Sequence, residues 1–185
     1  MEITVRELMS MLHGMLFGGF FLMAVFGAIV MLVDGCHPSS RMDRGPRWQS
    51  WFLVTMAVLG WAAVLSGAYI VYPWYRAIVP AGADLALYPK FFLTAHPSTA
   101  GWHNLGMEWK EHVAWISPMA ATMVAFVLIR QRAVWNAYRE VRNAVVAFTA
   151  AAFLAAVIAG GWGTLIDKAA PIHGGDTIHL ERSAR

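Results

Sequence analysis

Four long apolar runs separated by polar, arginine-bearing or aromatic stretches set the pattern of this chain. A helix needs about 20 residues to cross a hydrocarbon core of about 30 Å, and each run is of that order. The pattern predicts helices over about 9–33, 51–72, 108–130 and 143–166. The expected fold is therefore all-α, an integral membrane four-helix bundle forming one domain. A proline- and aromatic-rich outer cap loop at 73–107 and a polar C-terminal tail at 167–185 complete it.

Local signals refine this picture. Thr4-Val5-Arg6-Glu7 is a capping box, in which threonine and glutamate each satisfy a backbone donor, so the first helix starts ahead of its apolar run. Gly35 and Pro38 break the chain after that run. Pro118 removes a backbone donor and frees the carbonyl of Ala114, which predicts a kink that Ser117 helps repair. In the cap, Pro73, Pro80, Pro89 and Pro97 alternate with Tyr88, Phe91, Phe92 and Trp102, a composition for an ordered cover over the bundle or a partner.

Charge then orients the bundle. The link between helices one and two holds Arg41, Arg44 and Arg47, and the link between helices three and four holds Arg130, Arg132, Arg139 and Arg142. By the positive-inside rule both links face the cytoplasm, which places both termini and the cap loop outside. The first helix is read as a retained span rather than a cleaved signal, because the acidic Asp34 and the long apolar run before Cys36 do not suit a cleavage site.

With 58% hydrophobic and 14% charged residues, the lipid bilayer is the first expected partner. A net charge of +3 spread this way offers nothing to nucleic acid. The single cysteine rules out an internal disulfide, and no Cys-x-x-Cys-His is present for c-type haem. Cys36 and His37 make at most a two-ligand metal pair at the inner face. Stretches 14–33, 52–72, 113–129 and 144–166 contain no charged residue, which argues against an ion or proton path across the midplane. In the outer region no serine or cysteine stands beside a histidine as a hydrolytic nucleophile would.

The remaining chemistry gathers around Gly101–Pro118, where a polar aromatic stretch carrying His103, Glu108, Glu111 and His112 enters an apolar helix. His112 and His13 both lie roughly 25–30 Å above the inner ends of their helices at 1.5 Å per residue. If helices one and three are neighbours, these two imidazoles can bind one b-type haem iron from opposite faces. Gly14 and Gly18 beside His13 form a small-xxx-small pair that admits a neighbouring helix or a flat cofactor. Glu108, at i, i+4 from His112, can fix the imidazole tautomer. Tyr69 and Trp115 are candidate pocket walls, and Tyr69 can alternatively donate to a quinone carbonyl. Arg6, Arg76 and Lys110 at the outer edge can hold propionates. Tyr69, Tyr72, Trp74 and Tyr75 around Arg76 also read as an interfacial aromatic belt.

In His13, His112 and the nearby glycines the span 9–166 resembles the four-helix haem b, cytochrome b-like membrane subunits of respiratory complexes. That resemblance implies an electron-transfer subunit in a bacterial plasma (inner) membrane, with one haem b near the outer face. A quinone or an external cytochrome would be its redox partner, and other membrane subunits its neighbours. Two in-membrane histidines rather than four limit it to one such haem. Two alternatives stand beside this reading. One is a cofactor-free accessory subunit packing against a larger membrane complex. The other is a non-haem metal site built from His103, Glu108, Glu111 and His112, which requires a fold-back between His103 and His112. In each case a subunit role is expected ahead of a stand-alone enzyme.

Overall fold

The computed structural model describes residues 2–35 and 47–179, so the expected Cys36–His37 pair and the arginines at 41 and 44 lie outside the described residues. The chain is mostly helical, and four helices are long and apolar enough to cross a membrane: α1 (Val5–Val33), α2 (Arg47–Tyr75), α4 (Pro97–Arg130) and α6 (Arg139–Ala169). The short helix α3 (Pro89–Ala95) lies in the cap, and α5 (Arg132–Ala137) links α4 to α6.

The capping box at the start of α1 is formed. The Thr4 amide donates to the Glu7 carboxylate at 2.7 Å, and the Glu7 amide donates to Thr4 Oγ1 at 3.3 Å. Helix α4 begins at Pro97 rather than near residue 108, because Pro97 suits a first helical position and the glycines at 101 and 106 do not stop a helix whose aromatic side chains find packing. The expected cap loop therefore contracts, with α3, a short 3₁₀ turn at Leu85–Leu87 and the first turns of α4 inside it. Helix α6 likewise extends to Ala169, taking the first residues assigned to the tail.

One departure from an all-α chain is a two-stranded antiparallel ladder. Strand β1 (Glu2–Thr4) pairs with β2 (Thr177–His179), with Ile3 opposite Ile178. It holds the two ends of the described chain together on one side of the bundle.

The helices pack in the cyclic order α1, α2, α4, α6, so α1 and α4 stand diagonally across the bundle. The condition on which one haem between His13 and His112 depended, that helices one and three be neighbours, is thus not met. Packing is continuous in the half of the bundle away from the chain ends, where Phe21, Val25, Leu32, Leu53, Met56, Val124 and Leu128 are buried together with Trp135 of α5. A second, smaller cluster lies towards the chain ends, where Tyr75, Leu93, Met107 and Ile166 gather aromatic residues of the cap, among them Phe92 and Trp102. The groups capable of chemistry lie between and around these two clusters.

At Pro118 the ladder is repaired by backbone, not by the expected serine side chain: the Ser117 amide donates to the Ala114 carbonyl at 3.1 Å. The Ser117 hydroxyl is spent elsewhere, donating 3.0 Å to the carbonyl of Ala152 and pinning α4 to α6.

Candidate functional site

Towards the chain ends, three of the four spans abandon α-helical winding. Leu12–Gly19 of α1, Gly67–Val71 of α2, and Trp102–Met107 with Trp109–Val113 of α4 are π-wound. Such winding is uncommon, weakens the ladder and clusters at functional sites. Glycines mark these stretches, with Gly14, Gly18 and Gly19 in the first, Gly67 opening the second and Gly106 in the third. The π-wound stretches carry His13, His103, Lys110, Glu111 and His112, so the altered winding and the polar side chains coincide.

The best connected group joins α2 to α4. Tyr72 donates its phenol proton to the Glu111 carboxylate at 2.5 Å, and the Arg76 guanidinium donates to the same phenol oxygen at 2.5 Å. The Tyr75 hydroxyl and His103 Nδ1 are hydrogen-bonded at 2.8 Å. The two tyrosine rings stack with centroids 6.4 Å apart, and the Tyr75 ring lies 5.8 Å from the His103 imidazole. Tyr75 is buried, Tyr72, His103 and Glu111 are half-buried, and Arg76 is exposed. A guanidinium, a carboxylate, two phenols and an imidazole thus line up from the surface into the second cluster. Such a set can bind an oxygen-bearing ring and exchange protons with it.

A second polar level lies deeper, between the two apolar clusters. His13 Nδ1 is 3.1 Å from Ser66 Oγ, which in turn donates to the Ala63 carbonyl. The imidazole is pressed on Gly67, where a β-carbon would stand 2.6 Å from its Cε1. Lys110, placed by sequence at the outer edge, instead reaches α6, its Nζ 3.0 Å from the position of a β-carbon on Gly163. It lies within electrostatic reach of His13 and Asp167, so all four spans contribute one polar group here: His13, Ser66, Lys110 and Asp167.

The two histidines of the haem reading are not brought to a common point. His13 is turned to Ser66 and Gly67 of α2, whereas the His112 side chain is 69% exposed on the diagonal helix. His112 Nδ1 lies 3.3 Å from the Glu108 carboxylate and 3.2 Å from the Glu108 carbonyl, so the expected i, i+4 partnership is present. These positions do not fit one haem held between two imidazoles inside the bundle.

The other candidates separate in the same way. Gly14 is exposed, and a β-carbon placed on it would meet nothing within 4 Å. On Gly18 a β-carbon would meet only the His13 carbonyl, so the pair is not a close-packing surface. Tyr69 is 73% exposed. Trp115 packs edge-on to Trp61 at 6.3 Å. Arg6 donates to the His173 carbonyl at 3.4 Å and covers the Trp74 ring at 5.7 Å, tying the chain ends to the cap. Among the described residues no group of three or more histidine, cysteine, aspartate or glutamate side chains is placed to hold a metal ion. His103, Glu111 and Glu108 instead take Tyr75, Tyr72 and His112 as separate partners.

In the sequence Tyr72 and Tyr75 are visible only as members of an aromatic belt. Their three-residue spacing, which puts them on one helical face, is the signal that could have singled them out. No protein-family model, curated protein or solved structure matches the chain.

Proposed function

We propose that this chain is a membrane subunit of a redox assembly, and that the Tyr72–Glu111 and Tyr75–His103 pairs receive the headgroup of a quinone or quinol. The hydrogen-bonded run from Arg76 through Tyr72 to Glu111 carries this reading, because it sets a donor and a proton acceptor side by side at a π-wound helix. A quinone presents two carbonyl acceptors and a quinol two hydroxyl donors. The phenols and guanidinium suit the first, and the carboxylate and imidazole suit the second. In quinol oxidation the two protons would pass to Glu111 and His103, and the two electrons to a metal redox centre of a neighbouring subunit. By the arginine distribution of the inner links, the protons would leave on the outer side.

The test is a titration of the purified, full-length chain with a short-tailed ubiquinone and a short-tailed menaquinone, read by quenching of tryptophan fluorescence. Saturable quenching is expected, with affinity falling about tenfold or more in Tyr72→Phe and Glu111→Gln, the loss of one charge-assisted hydrogen bond. Linear, non-saturating quenching, or variants that bind as the parent does, would remove the proposal.

A second reading rests on His112. Its Nδ1 side is occupied by Glu108 and the ring stands exposed, so Nε2 is free to ligate outward. That arrangement suits one axial ligand to a haem b shared with a partner subunit. A reduced-minus-oxidised absorption band present in the assembly and lost in His112→Ala, but not in His13→Ala, is its signature.

A further inference from the structure

The face between α2 and α4, on the side away from the chain ends, carries a groove of about 370 Å³ that takes no part in the sites above. This is within the roughly 300–1,000 Å³ range of ligand pockets. Its floor is made by small residues, Ala57 and Ala125, and its walls by Val54, Val58, Phe126 and Ile129. One end is closed by a tie between the helices, where Trp61 Nε1 donates to Thr122 Oγ1 at 3.0 Å. Arg130, the last residue of α4, stands at the other end, and its guanidinium forms no hydrogen bond or ion pair with the described residues.

We infer that this groove binds a phospholipid, one acyl chain lying between α2 and α4 and the phosphate meeting Arg130. The groove's shape selects hydrocarbon over a helix. From Val54 to Trp61 it runs only about 10 Å at 1.5 Å per residue, and a helix with side chains is about as wide as that. A partner helix would also need a stripe of small residues, whereas Val58, Phe126 and Ile129 stand up on either side. An extended acyl chain is thin enough to lie on the alanines and apolar enough to match the walls. The charge pattern selects the headgroup, since a guanidinium at the end of an apolar channel offers a paired donor set to phosphate oxygens.

The experiment uses the full-length protein, stripped of lipid in detergent and titrated with phosphatidylglycerol, phosphatidylcholine or a free fatty acid, with bound molecules counted by native mass spectrometry. One phospholipid per chain is expected to persist, with affinity reduced about tenfold in Arg130→Gln, the loss of one charge-assisted contact. Ala57→Phe should fill the groove and reduce binding at least as much. Arg139→Gln, an exposed change of equal charge outside the groove, should leave it unaltered. Because Ala57→Phe can disturb packing, Val58→Trp at an exposed wall position serves as a second filling variant, and helix content by circular dichroism is recorded for both. Equal losses in Arg130→Gln and Arg139→Gln would reduce the effect to net charge and overturn the proposal. So would unchanged binding in both filled variants, retention of fatty acid as tightly as phospholipid, or a concentration-dependent dimer that the filled variants abolish.

Discussion

Gly67→Ala tests whether His13 is held by the winding of α2. In the parent protein the β-carbon would lie 2.6 Å from Cε1 of His13 and 3.3 Å from each ring nitrogen, whereas ordinary contact begins at 3.4 Å. The ring must therefore retreat, and it is tethered at 3.1 Å to Ser66, the residue immediately before Gly67. Overpacking costs about 1–3 kcal/mol and a lost hydrogen bond about 1 kcal/mol, against a gain of up to about 1 kcal/mol for replacing glycine in a helix. The net expectation is a destabilisation of about 1–3 kcal/mol. Reversible unfolding in mixed micelles, followed by circular dichroism, measures it. The decisive arm is the double-mutant cycle with His13→Ala, in which the penalty should vanish or become a gain of up to about 1 kcal/mol. An equal penalty in both backgrounds would show that Gly67 serves helix winding alone and that the imidazole is not seated on it.

Two further outcomes follow from contacts between elements. Removing the Trp61–Thr122 tie through Trp61→Phe and Thr122→Val should give a coupling energy of about 0.6 kcal/mol, the average for interhelical hydrogen bonds in a membrane, and a coupling indistinguishable from zero would deny that bond. Thr4→Ala should cost about 0.5–2 kcal/mol, with faster amide exchange confined to the first turn of α1 and the β1–β2 ladder, and exchange that rises throughout α1 would contradict a local cap.

The spans are legible in the sequence because their signal is thermodynamic and additive: some twenty apolar residues in a row have few places to go other than lipid. The capping box is legible because both of its partners lie within one turn. The π-wound stretches are not, since hydropathy reports burial and not which carbonyl a given amide reaches. Gly14 and Gly18 read as packing positions, yet of the glycines in these stretches it is Gly67 and Gly106 that lie against a bulky side chain, His13 and Trp162 respectively. Charge alone assigns Lys110 to the surface. Gly163, on the facing helix, leaves the space through which its long stem turns inward instead. The pairing of His13 with His112 fails on a question one sequence poorly answers, the order in which four helices close into a ring.

The ladder between Glu2–Thr4 and Thr177–His179 bears on how the chain is threaded. Two segments can pair in this way only if an even number of crossings separates them. Loss of one span, or its lodging on the surface, would leave them in different aqueous compartments. The small ladder is thus a local record of correct membrane insertion, closed only after α6 is in place, and accessibility of β1 to an added protease would report chains that had miscounted.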